Sequence, residues 1–132
     1  KSIKLRDGDD VTIFCNGAII NECLKAAELF EKKNLSCGVV NMHTVKPIDI
    51  EAIKVSLKSK LIVTVEEHNI IGGLGSAVSE CVSKFSKSPP QLFLGVNDTY
   101  SKAGDYDFLK KKYGLNSESI VANAIKLLKD YE

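Results

Sequence analysis

The sequence predicts an α/β fold, a mostly parallel sheet with helices on both faces, and three observations carry that expectation. Short apolar runs rich in β-branched residues at 11–15, 35–42, 61–65 and 91–96 have the composition of strands buried on both sides. Apolar stripes at helical spacing stand between and after them. Such alternation calls for right-handed parallel crossovers that place helices above and below the sheet.

The stretch 60–80 is the pivot. Leu61, Ile62, Val63 and Val65 form a buried strand that is expected to reach the surface at Glu66, Glu67 and His68. Gly72, Gly73 and Gly75 make a turn, and Val78, Cys81, Val82 and Phe85 recur on one face of a helix running to about residue 86. A strand, turn and helix in that order bring polar side chains and free helix-start N–H groups to the carboxyl edge of the sheet, where open α/β sheets bind ligands.

The other elements follow in order. Residues 1–5 read as a strand, and 6–10 as a tight turn making a hairpin into the strand at 11–15, so that the first strand runs antiparallel to the second. Asn16 and Gly17 end that strand. Ile20, Cys23, Leu24, Ala27 and Phe30 mark a helix to about residue 33, and the strand at 35–42 follows. Asp49 is a natural N-cap for a short helix with Ile50, Ile53 and Leu57. After the loop at 88–90 and the last strand, Asp105 can cap a helix ended by a left-handed Gly114, with Leu115 packing back. Ser117 is expected to cap the final helix, with Ile120, Val121, Ala124, Ile125 and Leu128 inward.

A chain of 132 residues forms one domain, 1–132, with room for a core that needs neither disulfide nor metal. Eighteen basic against seventeen acidic residues are interleaved, so no nucleic-acid or anionic-membrane footprint stands out. No apolar run has the length of a membrane span, and no secretory h-region opens the chain. Cys15, Cys23, Cys37 and Cys81 lack C-x-x-C spacing and read as small buried hydrophobes of a reducing, cytoplasmic compartment. A first residue Lys1 in place of Met suggests a section of something longer.

Candidate chemistry is sparse. Glu66, Glu67 and His68 are the one acid–base cluster, but neighbouring side chains on a strand diverge, so three consecutive residues rarely converge on one atom. The Gly-Gly-Leu-Gly-Ser turn with Ser76 could cradle a phosphate, yet it lacks both the G-x-G-x-x-G order and a following Lys, and the two glutamates would repel an anion. Close packing of helix on strand explains the glycines better. His43, just after a strand, is expected at the same edge. No serine or cysteine sits in a nucleophile elbow.

Longer strings say more. Val-Asn-Met-His-Thr-Val-Lys-Pro-Ile-Asp at 40–49, Ile-Val-Thr-Val-Glu-Glu-His-Asn-Ile-Ile-Gly-Gly-Leu-Gly-Ser-Ala-Val-Ser-Glu at 62–80, Gly-Val-Asn-Asp at 95–98 and Tyr-Gly-Leu at 113–115 resemble the carboxyl-terminal domain of transketolase, most of all in split transketolases. The resemblance covers essentially the whole chain. It implies a three-layer α/β/α sandwich whose five-stranded mixed sheet has the order 1-3-2-4-5, strand 1 antiparallel. It also implies a structural or regulatory domain in an enzyme that moves a two-carbon ketol unit between sugar phosphates in the pentose phosphate pathway. Thiamine diphosphate and Mg2+ would be held by the preceding amino-terminal and pyrimidine-binding portions, in a homodimer or a split-subunit heteromer, and no catalytic or cofactor residue transfers to this chain. Its cofactor signature, Gly-Asp-Gly with a later Asn-Asn, is only half imitated by Gly8-Asp9-Asp10 and Gly104-Asp105-Tyr106. The carboxyl-terminal domains of deoxyxylulose-phosphate synthase and of 2-oxoacid dehydrogenase β subunits share the Glu-Glu and glycine-turn theme but fit 40–49 less well.

The expected site is therefore an interface or anion edge made of Asn16, Gly17, His43, Glu66, Glu67, His68, Gly72, Gly73, Gly75 and Ser76. As an interface its side chains should be under-used until neighbouring domains arrive. The alternatives are an independent module binding a small anion between Asn16 and Glu66, or a minimal acid–base or metal enzyme using Glu66, Glu67, His68 and His43.

Overall fold

The structure, a computed structural model, describes residues 1–69, 73–96 and 114–131. Strands β1 (Ile3–Arg6), β2 (Val11–Cys15), β3 (Cys37–Asn41), β4 (Leu61–Asn69) and β5 (Gln91–Val96) form one sheet in the order β1-β3-β2-β4-β5. β1 is antiparallel to β3, and the other neighbours are parallel. Helices α1 (Ile20–Lys32) and α4 (Ser117–Asp130) cover one face, over Val11, Ile13, Cys15, Val63 and Val65. Helices α2 (Ile50–Ser56) and α3 (Leu74–Val82) cover the other, over Phe14, Val40 and Ile62. These are the three layers and the strand order that were expected.

The expected hairpin is not formed. β3 lies between β1 and β2, so the 7–10 segment must cross the amino end of β3. Ser36 anchors that crossing: its Oγ accepts the N–H groups of Asp9 and Asp10, and its own N–H donates to Asp10 at 2.8 Å. The Ser36 N–H holds the Asp10 carboxyl below its ordinary pKa. Turn-forming residues specify a reversal of direction; they do not specify which strand is met afterwards.

Helix ends differ in detail. Asp49 caps α2 as expected, accepting the Ala52 N–H at 3.1 Å. Asn116, and not Ser117, caps α4: its Oδ1 accepts the Ser119 N–H at 2.8 Å, while the Ser117 N–H goes to Glu22 Oε1 at 2.9 Å. Helix α3 stops at Val82, short of residue 86, because Lys84 and Phe85 donate three residues back and tighten the end. Phe85 still packs on the core. Gly114 has the left-handed φ of +72° and Leu115 is buried; the helix expected before them lies outside the described residues.

All four cysteines are free and buried, matching their reading as core hydrophobes. Burial pushes the Cys37 thiol up to about 12. The hydrogen bond with Cys15, together with burial, also raises Cys23 well above the ordinary thiol value. A neutral thiol is a poor nucleophile.

Candidate functional site at the carboxyl edge of the sheet

β2 is flanked by β3 on one side and β4 on the other, so chain direction switches between β2 and β4, and the residues after Cys15 and Val65 face that crevice. β4 does not stop at Glu66. It continues to Asn69, past the last pairing with β2 at Cys15–Val65, and carries Glu66, Glu67 and His68 within the strand.

Glu66 is only 4 % exposed. Its two oxygens accept the Leu74 and Gly75 N–H groups, both at 2.8 Å, at the start of α3. A buried carboxylate is tolerable when several donors solvate it, and a helix start supplies both N–H groups and a favourable dipole. Its expected surface position and under-use are both corrected here: a charged residue after a buried strand signalled emergence, whereas it is a cap reaching from strand to helix.

Glu67 serves the opposite face. Successive strand residues alternate in direction, and its Oε1 accepts the Ala18 N–H at 3.0 Å, in the 3-10 turn Gly17–Ile19 that leads into α1. Glu67 is thus engaged too. Two adjacent glutamates therefore hold two helix starts on two sides of one sheet and do not converge into an acid–base pair.

The glycines divide the same way. Gly75 lies so close to the sheet that a Cβ would stand 2.7 Å from the Phe93 ring and 3.0 Å from Thr64 Oγ1. Its carbonyl accepts Gln91 Nε2 at 3.0 Å, so helix, β4 and β5 are fastened at one point. Gly17 has φ +77°, and a Cβ there would meet Glu67 Oε1 at 3.0 Å. Gly73 is the N-cap of α3 with φ −99°, which does not demand glycine, and Gly72 lies outside the described residues. Ser76 is half-buried in the first turn of α3.

The structure brings Asn16 to this edge, where Nδ2 donates to the Met42 carbonyl at 3.3 Å and joins the ends of β2 and β3. His43 follows Met42 and is exposed. Sequence reading missed Glu22, which is 8 % exposed within α1 and holds the Ser117 N–H; its one signal was a charge beside the apolar stripe.

These residues do not fit a diphosphate–magnesium pair. The helix starts, where a diphosphate would be held, meet Glu67, Asp49, Glu66, and Asn116 with Glu22 of the chain itself. Among the described residues no group of three or more His, Cys, Asp or Glu could hold a metal ion.

A mostly parallel sheet in the order β1-β3-β2-β4-β5 with one antiparallel edge, helices on both faces and a strand-borne glutamate capping the following helix defines a three-layer α/β domain. The model of the transketolase C-terminal domain matches residues 1–120, and the chain belongs to that family. It is 43 % identical over 126 residues to a putative transketolase C-terminal section of Methanocaldococcus jannaschii, covering 95 % of this chain and 39 % of the relative. A 6-deoxy-6-sulfo-D-fructose transketolase subunit of Clostridium sp. is 41 % identical, over 94 % of this chain and 38 % of its own length. A 1-deoxy-D-xylulose-5-phosphate synthase of Caldanaerobacter subterraneus is 37 % identical, over 96 % of this chain and 20 % of its own. Among solved structures, a split-gene transketolase described as an inactive β4 tetramer superposes with a TM-score of 0.88 at 38 % identity, over 98 % of this chain and 42 % of that one. The chain thus spans about two fifths of the split relatives it matches.

Among the described residues no helix is long and apolar enough to cross a membrane.

Proposed function

We propose that this chain is the non-catalytic carboxyl-terminal section of a cytoplasmic, thiamine-diphosphate-dependent transketolase that moves ketol units between sugar phosphates in the pentose phosphate pathway. It supports assembly with the amino-terminal and pyrimidine-binding portions, in a homodimer or a split-subunit heteromer. The observation that carries this reading is the commitment of Glu66 and Glu67 to helix starts on opposite faces. The groups that looked most chemical hold the scaffold, and they occupy the places an external anion would take, which also weighs against an anion-binding module. Asn16, Gly17, His43, His68 and Ser76 then form the rim through which the section meets its neighbours, with Glu66 acting inside the domain. Calorimetric titration of the isolated chain with thiamine diphosphate and Mg2+ tests this: no heat is expected, and binding at micromolar concentration would reject the supporting role.

The 37 % identity to a 1-deoxy-D-xylulose-5-phosphate synthase favours a second reading, the same supporting role in that enzyme. Assaying the complete protein for formation of 1-deoxy-D-xylulose 5-phosphate separates the two.

A further inference from the structure

Helices α1 and α4 start side by side, because Glu22 Oε1 in the first turn of α1 accepts the Ser117 N–H at 2.9 Å. Being of nearly equal length, thirteen and fourteen residues, they cross the same face of the sheet together and end together at its amino edge, beside the starts of β3 and β4. A cleft of about 640 Å³ stays open there, within the size range of small-molecule sites. Its floor is aliphatic: Leu35, Ile125 and Leu128, each half-buried. Lys33 from the end of α1, Lys129 from the last turn of α4 and Lys60 from the segment entering β4 supply its charge, and the Tyr131 ring, 67 % exposed, forms part of its wall.

A lysine near a helix end ordinarily offsets the negative pole of that helix, which accounts for Lys33 and Lys129 one at a time. It does not account for Lys60, which belongs to neither helix, or for the apolar floor between the three. Lys60 Nζ lies 3.6 Å from Asp10 Oδ1, whereas among the described residues Lys33 and Lys129 form no ion pair. The described lining holds no carboxylate.

We propose that this cleft binds a planar organic anion, with its ring system on the aliphatic floor against Tyr131 and its phosphate, sulfonate or carboxylate group drawn to Lys33 and Lys129. The site lies at the opposite end of the sheet from Asn16 and Glu66 and takes its charge from side chains, so the occupied helix starts that count against an anion at the carboxyl edge do not bear on it. A lysine ammonium attracts an anion as a point charge without fixing its geometry. What selects the ligand is therefore charge joined to a flat apolar body. An acidic protein segment fits less well, because Tyr131 is the one exposed large apolar side chain of the described lining, too little for the apolar centre of a protein interface.

The test is lysine footprinting of the complete protein with an acetylating N-hydroxysuccinimide ester, read by mass spectrometry, with anilinonaphthalenesulfonate as the probe. At millimolar concentration the probe should slow acetylation of Lys33, Lys60 and Lys129 at least about fivefold, as occupancy of one site requires. The exposed Lys84 and Lys87, beyond the end of α3, should be unaffected. The neutral analogue phenylnaphthylamine and inorganic phosphate each carry half of the chemistry, and each should protect by less than about twofold. In a double variant, Lys33→Gln with Lys129→Gln, the probe should no longer protect Lys60; Tyr131→Ala, with the same loss expected, serves if the double variant does not fold. The proposal is overturned by no protection, by equal protection of Lys84 and Lys87, by a neutral analogue or phosphate as effective as the probe, or by Lys60 protection that survives in the variant. It is overturned too if Lys33 and Lys129 react at least about tenfold more slowly than Lys84 and Lys87 without any probe, the mark of a protein segment already seated in the cleft.

Discussion

The Glu66 carboxylate grips the Gly75 N–H at 2.8 Å while the Gly75 α-carbon leaves no room for a side chain against Phe93 and Thr64. Acceptor and glycine depend on each other: the hydrogen bond needs α3 pressed onto β4, and that approach needs a residue without a Cβ.

Glu66→Ala should destabilise the domain by about 2–4 kcal/mol, because two buried N–H groups lose their shared acceptor. Glu66→Gln retains one acceptor oxygen and should cost about half as much. Glu67→Ala, at a half-buried site where Oε1 accepts the Ala18 N–H, should cost about 1 kcal/mol or less. Urea unfolding midpoints of the three variants check the ranking.

Gly75→Ala should cost about 1–3 kcal/mol through overpacking against Phe93. Gly73→Ser should stay within about 0.5 kcal/mol, since serine is accepted at an N-cap and the φ there is negative. Equal losses in thermal unfolding would mean that the close approach is misplaced.

Asp49 links acid stability to the cap of α2. Hydrogen bonds from Ser2 and Ala52 lower its pKa from 3.8 to about 2, so the folded state favours the ionised form. The resulting stability is complete above the unfolded value near 3.8 and is lost as pH falls through about 2. Asp49→Asn should therefore show a shallower loss of stability than wild type between pH 4 and 2. Parallel curves for the two proteins would contradict this.

The buried thiols should be silent in the native state. With Cys37 raised to about 12 and Cys23 raised as well, iodoacetamide at pH 8 should label them only as fast as the domain opens, and all four cysteines should react in urea. Mass spectrometry of the labelled chain reads the difference.

Much of the fold was legible. The runs at 11–15 and 61–65 are buried on both faces as their composition demanded, and Asp49 caps the helix that it precedes. What escaped were pairings between distant residues. The 6–10 turn could not reveal that it crosses Ser36 and β3, since a hairpin and a crossing use the same turn residues. Glu66 was found as a site residue but misread in place, because its burial depends on N–H groups eight and nine positions later. Glu22 was missed altogether, as its partner Ser117 lies 95 residues away. Gly75 was correctly read as a packing glycine, and Gly73, two positions earlier, is the N-cap of α3.

The most direct test of the supporting role is the single-turnover rate of the complete enzyme carrying His43→Ala or His68→Ala, measured at saturating thiamine diphosphate and Mg2+ together with the dissociation of its assembly. Chemistry and association are separable free energies, so a supporting edge predicts weaker assembly with a chemical rate within about twofold of wild type once assembly is complete. A rate lowered by about a hundredfold or more with unaltered assembly would contradict it and assign this edge a part in the reaction.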